Sequence, residues 1–157
     1  MLWGSSRHAG SCSVEVDHLS EPCSHSLRVR YGECDAQGVV FNSHYLAYLD
    51  VSMTELWRAS FDGGYKGMVA TGIDMVVAEA RLRFRGAARF DDELTLTVEI
   101  ERLGNTGMHS RHQILRGHEP LIEGEMRQVF VDLGTLAKTT IPDWARAGLA
   151  PLGSRAG

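Results

Sequence analysis

An aspartate sits on a short turn a few residues ahead of a helix start, in the run Asp35-Ala-Gln-Gly38-Val39-Val40-Phe41-Asn42. With a reference pKa of about 3.9, its side chain is normally a carboxylate at neutral pH. A helix start offers unpaired backbone N–H groups and roughly half a positive charge. The two together make a simple acyl-transfer site. The N–H groups polarise a carbonyl, and the carboxylate attacks its carbon or activates a water that does so. Gly38 lets the chain turn tightly and lets a ligand approach the backbone. The plain alternative is a turn or cap residue, the commonest use of an aspartate before a helix. Glu33 reads as a solvated strand-end charge or an ion-pair partner for an arginine. Cys34 reads as a small, half-buried residue rather than a thiol nucleophile.

The elements that must hold this turn follow from periodicity. Leu27, Val29 and Tyr31 alternate with Arg28 and Arg30, which predicts a half-buried strand over Ser26–Tyr31. Tyr45, Leu49, Met53 and Leu56 fall on one helical stripe, flanked by Leu46, Tyr48, Val51 and Trp57. Asn42 and Ser43 precede that stripe as candidate N-caps, so a helix is expected from about Ser43 to Ser60, ended by the glycines of "DGGYKG". Four β-type segments follow at Ile73–Arg85, Glu93–Leu103, Met108–Arg116 and Leu121–Asp132, joined by turn-rich links. Four such segments in succession suggest an antiparallel sheet. A short closing helix is expected near Pro142–Ala147, with the proline in its first turn. The long helix has only the sheet to bury its apolar face against, and so much of its surface is apolar that a nearly enclosed helix is expected.

Composition narrows the class. The chain has 157 residues, 43% of them hydrophobic, enough for one core. The net charge of -4 gives no global basic field to recruit nucleic acid. No apolar run reaches the roughly 20 residues needed to span a bilayer. The opening "MLWGSSRHAGSCS" lacks the order of a secretory leader. Three cysteines, without metal-type spacing, suit a reduced compartment. A soluble, cytoplasmic protein is the expectation, with a loose N-terminal extension over 1–24, a core domain over 25–147 and a tail over 148–157. Arg81, Arg83, Arg85 and Arg89 gather at the end of one segment and the following turn, where they could meet phosphates. The methionines Met53, Met68, Met75 and Met108 either line a tunnel or fill core gaps.

The block "YGECDAQGVVFNSHYLAYLD" resembles the hydroxybenzoyl-CoA thioesterase family of hot-dog fold proteins, including its broader acyl-CoA thioesterase branch. The shared pattern is met by Tyr31, Glu33, Asp35, Gly38, Val39, Val40, Phe41 and Tyr45. "AARFDDELTLTVEIERLGNTGMHSRHQIL" and "IEGEMRQVFVDLGTLAKTTIP" look like the family's later strands and exit, so the resemblance runs from about Ser26 to Trp144. It implies an α+β hot-dog fold, an antiparallel sheet wrapped around one long central helix. It also implies hydrolysis of acyl-CoA thioesters with no metal or redox cofactor, coenzyme A being part of the substrate. Asp35 matches the catalytic aspartate, and Asn42 the first helical position, whose N–H points at the thioester carbonyl. Tyr31 matches a tyrosine credited with supporting the site, its plain alternative being a strand-end core aromatic. Gly38, Val39, Val40, Phe41 and Tyr45, with Arg85 and above all Arg89, are the expected substrate-binding residues. Part of the family carries His at the position of Asn42, and Asn cannot act as a general base. His44 is out of register for that role. The resemblance further implies a homodimer or homotetramer with the site between subunits. Rival readings are thioester hydrolysis on acyl carrier protein, a non-catalytic acyl-CoA-binding protein, and enoyl-thioester hydration, which generally needs an Asp–His pair.

Overall fold

The computed structural model describes residues 22–152, so most of the expected N-terminal extension and the last residues of the expected tail lie outside the described residues. Strands β1 (Cys23–Arg28), β2 (Ile73–Phe84), β3 (Glu93–Leu103), β4 (Gly107–Arg116) and β5 (Glu119–Asp132) form one antiparallel sheet in the order β1-β3-β4-β5-β2. Helix α1 (Asn42–Ser60) lies against it, followed by α2 (Gly64–Ala70), and α3 (Asp143–Leu149) closes the chain. This is the α+β, sheet-and-central-helix architecture expected. The packed chain runs on beyond residue 147, since Leu149 and Leu152 are both buried in the core.

The register explains which side chains meet. β3 buries Leu94, Leu96, Val98 and Ile100, and β4 buries Met108, Ser110, His112 and Ile114, each a strict alternation. α1 answers with Tyr45, Tyr48, Leu49, Ser52, Met53, Leu56 and Trp57. The helix packs closely on the sheet at Gly124 on β5. A Cβ there would lie 3.0 Å from a Leu49 methyl and 3.2 Å from a Leu82 methyl, so the missing side chain is what admits the helix. The opposite face of α1 stays open, with Leu46, Ala47, Asp50, Thr54 and Arg58 exposed. The helix is therefore not enclosed, because a single five-stranded sheet covers one side only.

Several boundaries depart from the sequence expectation. β1 ends at Arg28 rather than Tyr31, because its partner β3 begins at Glu93, opposite Arg28. Val29 still bonds Asp92, but Tyr31–Glu33 then turn as one 3-10 turn. The residue capping α1 is Phe41, not Asn42 or Ser43, and no side chain bonds the free amides. The glycines after α1 do more than stop it. Gly63 and Gly64 take φ of 72° and 60° and launch α2, which periodicity over seven residues is too short to announce. Pro142 caps α3 rather than opening it. Among the described residues no helix is long and apolar enough to cross a membrane.

A polar chain runs through this core. Ser52 Oγ donates to the Leu49 carbonyl at 2.7 Å and therefore accepts from His112 Nδ1 at 3.0 Å, leaving Nε2 to accept from Ser110 Oγ at 2.9 Å. Burial disfavours the charged imidazole and lowers its pKa to about 4. An unfolded chain takes up that proton near pH 6.5, before the folded one does. Stability contributed by neutral His112 is thus complete above that pH and is lost as pH falls from about 6.5 to about 4. The loss amounts to about 3 kcal/mol. Urea unfolding at pH 7, 5.5 and 4.5 should show the decline, and His112→Gln should flatten it.

Candidate active site

The chain between β1 and α1 folds back on itself. Cys34 and Val40 form an isolated antiparallel bridge. Inside it the Asp35 N–H donates to the Val39 carbonyl at 2.9 Å, and the Gly38 N–H to the Asp35 carbonyl at 2.9 Å. Gly38 takes φ +76° with open space around it, a conformation other residues enter only at a cost. The carboxylate Oδ1 of Asp35 accepts the Gln37 N–H at 2.8 Å. That bond orients the side chain and leaves Oδ2 unbonded among the described residues. Asp35 is half-buried at the tip of this hairpin.

The hairpin's far strand leads directly into α1. Its amides are used one after another: Val40 N–H on the Ala88 carbonyl at 2.8 Å, and Phe41 N–H on the Glu33 carbonyl at 2.9 Å. His44 N–H returns to the Phe41 carbonyl at 2.9 Å. Between them the amides of Asn42 and Ser43 have no hydrogen-bond partner among the described residues, and no side chain caps them. Asp35 and Asn42 stand one and two residues from the Cys34–Val40 bridge, on opposite strands. A carboxylate and an open helix N-terminus thus flank one small, tightly bonded loop, the electrostatic pair an acyl carbon and its developing oxyanion require.

A second loop is bolted to the first. Ala88 is fully buried; its N–H donates to the Tyr45 hydroxyl at 3.0 Å and its carbonyl takes the Val40 amide. Arg116 donates to Asp92 at 2.9 Å and to Glu119 at 2.7 Å, and reaches the Ala87 carbonyl at 3.4 Å. Burial pushes the Asp92 carboxyl up, but the Arg89 amide and the Arg116 guanidinium outweigh it and hold the group below the usual carboxylate range. Asp91, at φ 69°, completes the turn, its carbonyl taking Arg28 at 2.8 Å. From this turn Arg89 projects a guanidinium with no hydrogen bond or ion pair among the described residues. Phe90 beside it is exposed and meets Tyr31 edge-to-face, with ring centroids 5.9 Å apart.

The expected site residues are therefore not all alike. Asp35, Gly38, half-buried Val39, Phe41, Asn42, Tyr31 and Arg89 gather around the two joined loops. Tyr31 is 82% exposed, so it is not the core aromatic of the alternative reading. Val40 and Tyr45 are corrected from substrate contacts to core residues. Both are almost wholly buried, and the Tyr45 hydroxyl is spent on Ala88. Burial, ahead of any other cause, raises the Tyr45 pKa. Arg85 is occupied by Glu123 at 3.1 Å, as is Arg83 at 3.6 Å, while Arg81 pairs with Glu79 at 2.7 Å. Among the described residues only Arg89 of the four makes no ion pair; Arg85, just past the end of β2, is still within reach of Glu123, and Arg89 lies four residues further along the turn. Met53, Met68 and Met108 are buried core fillers rather than tunnel walls. Cys34 carries a free, half-buried thiol packed against the core. Two surface concavities, of about 610 and 640 Å³, lie at the α1–α2 turn and over the charged outer sheet face, and neither is lined by Asp35. Phe90, Arg116 and the bond from the Tyr48 hydroxyl to the Glu33 carboxylate, at 2.8 Å, were not singled out from sequence. The turn-rich run "RGAARFDD" signals a loop but not which of its side chains it displays.

Residues 29–149 match the family model described as thioesterase-like superfamily, a span that includes both loops. The chain belongs to that superfamily. It is 29% identical over 107 residues to the acyl-CoA thioester hydrolase YbgC of Escherichia coli, covering 68% of this chain and 79% of that one. Its fold matches the hypothetical protein TT1821 from Thermus thermophilus with a TM-score of 0.77 at 27% identity, over 84% of this chain and 99% of that one. It also matches the gentisyl-coenzyme A thioesterase BH1999 with a TM-score of 0.71 at 22% identity, over 78% and 98% of the two chains. The hot-dog fold anticipated from the Asp35 block is thereby shown. Within this thioesterase fold, Tyr45→Phe should leave the buried Ala88 amide without its acceptor. We expect a loss of about 1–3 kcal/mol in folding free energy, read from denaturant unfolding at pH 7.

Proposed function

We propose that this protein hydrolyses acyl-CoA thioesters to a free acid and coenzyme A. The observation that carries the reading is the Asp35 carboxylate held across one hairpin from the uncapped amides of Asn42 and Ser43. The thioester carbonyl oxygen lies at those amides, whose partial positive charge grows more valuable as the oxygen becomes an anion. Asp35 delivers the attack, either by its own oxygen or by taking a proton from a water. The acyl carbon–sulfur bond then breaks, the acyl group gains the hydroxyl of water, and the thiolate leaves with a proton. Asn42 contributes its backbone, so its unreactive side chain is no obstacle. The superfamily match and the name of the Escherichia coli relative support the same chemistry. Arg89, the unpaired guanidinium beside the site, is the handle for a coenzyme A phosphate.

A second copy of the chain completes the site in this reading. β2 is an edge strand, and it exposes Val76, Val77 and Phe84. Tyr31, Phe41, Leu46 and Phe90 add further exposed apolar surface around Asp35. Pairing two such edges would cover this surface and remove a free sheet edge.

Free-thiol release from a panel of acyl-CoA substrates tests the proposal. Asp35→Asn should lower kcat by about 10²–10⁴-fold while substrate binding, followed by calorimetry, persists. Undiminished turnover in that variant would end the reading. Arg89→Ala should raise KM about tenfold with kcat nearly unchanged, whereas Arg81→Ala, whose partner is Glu79, should change neither.

A further inference from the structure

Glu33 lies two residues before Asp35 and makes more attachments than a surface glutamate needs. Its Oε2 accepts the Tyr48 hydroxyl at 2.8 Å and the Arg30 amide at 2.7 Å. Its Oε1 is 3.2 Å from Arg30 Nε, and its side chain is only 12% exposed. Its peptide carbonyl takes the Phe41 N–H at 2.9 Å, the amide of the residue that caps α1. Tyr48 sits in the second turn of α1, on the face buried against the core. Glu33 thus touches the near strand of the Asp35 hairpin, the cap of the helix and the interior of that same helix.

We infer that Glu33 and Tyr48 are positioning residues that fix the Asp35 hairpin relative to the open amides of α1. This rests on the reading of Asp35 given above. The hairpin and the helix are two bodies, and an acyl-transfer site needs their relative placement to within a fraction of an ångström. The main-chain bonds Val40–Ala88 and Phe41–Glu33 hold the far strand of the hairpin. The near strand, from which Asp35 projects, is tied to the helix through the Glu33 carboxylate. A carboxylate suits the task because one oxygen can serve both the tyrosine hydroxyl and the Arg30 amide. Burial, and then the neighbouring Glu33 carboxylate, raise the Tyr48 pKa, so the phenol remains a donor throughout the neutral range. The ion pair with Arg30 is secondary: that guanidinium is largely exposed, and such pairs contribute little.

The test uses the full chain with Glu33→Ala, Glu33→Gln, Tyr48→Phe and the double variant Glu33→Ala/Tyr48→Phe. At a temperature well below every variant's Tm, Glu33→Ala and Tyr48→Phe should lower kcat by about 10–100-fold with KM changed by less than about threefold. The double variant should be little worse than either single one, since both remove the same link. Glu33→Gln, whose amide oxygen still accepts from Tyr48, should recover most of the rate. Amide hydrogen exchange followed by NMR gives a readout independent of turnover. The amides of Asp35, Gly38, Val40 and Phe41 should exchange about tenfold faster or more in Glu33→Ala and Tyr48→Phe, while those of the sheet strands keep their wild-type rates. Unchanged exchange in the hairpin overturns the inference whatever the kinetics show. Faster exchange with wild-type kcat also overturns it, because the link would then serve stability alone. A wild-type chain that releases no thiol overturns the functional reading instead, and the exchange data still decide whether Glu33 and Tyr48 hold the hairpin.

Discussion

The segment from Val29 to Phe41 has no strand beside it to satisfy its backbone. β1 stops where β3 begins, and the chain must then cross to the start of α1 with its N–H and C=O groups accounted for one by one. It solves this by pairing with itself through Cys34 and Val40, and by borrowing the carbonyl of one buried residue, Ala88, whose own N–H is taken up by the Tyr45 hydroxyl. Everything at the site follows from that accounting. Asp35 is presented because it lies at the tip of the self-paired hairpin. The amides of Asn42 and Ser43 are open because they lie in the first turn of α1, where the helix itself offers no acceptor, and no side chain caps them.

The same accounting joins regions far apart in sequence. Tyr45 on the helix holds Ala88, which holds Val40, while Arg116 at the end of β4 holds the Ala87 carbonyl and Asp92. The turn that displays Arg89 and Phe90 is therefore hydrogen-bonded both to the far strand of the Asp35 hairpin and to the first turns of the helix. In the proposed reaction, such preorganisation would place charge and donors before a substrate arrives, so that little has to be reordered.

The rest of the fold supplies support of a more ordinary sort. α1 presses its apolar stripe onto four strands, made possible where Gly124 yields its side-chain volume to Leu49 and Leu82. The polar chain of Ser52, His112 and Ser110 crosses this interface with every imidazole nitrogen satisfied, so it orders the helix on the sheet without leaving a buried charge. At the end of β2, Glu79 engages Arg81 and the cross-strand Glu123 engages Arg83 and Arg85, whereas Arg89 in the following turn makes no ion pair among the described residues.

Alternation in "LTLTVEIERL" and the helical stripe through Tyr45, Leu49, Met53 and Leu56 made the β3 strand and the α1 helix legible from the chain alone, since each pattern is a local consequence of one buried face. The local geometry of the Asp35 block was equally legible, because a carboxylate on a turn, a glycine able to take positive φ and a helix start need only proximity in sequence to come together. Tertiary pairing decided the rest. Where β1 ends depends on where β3 begins, and whether Tyr45 and Val40 face a ligand or the core depends on Ala88, more than forty residues away. Whether an arginine is free for a ligand depends on which glutamate the next strand carries opposite it. Such contacts are set by long-range register, and local periodicity carries no information about register.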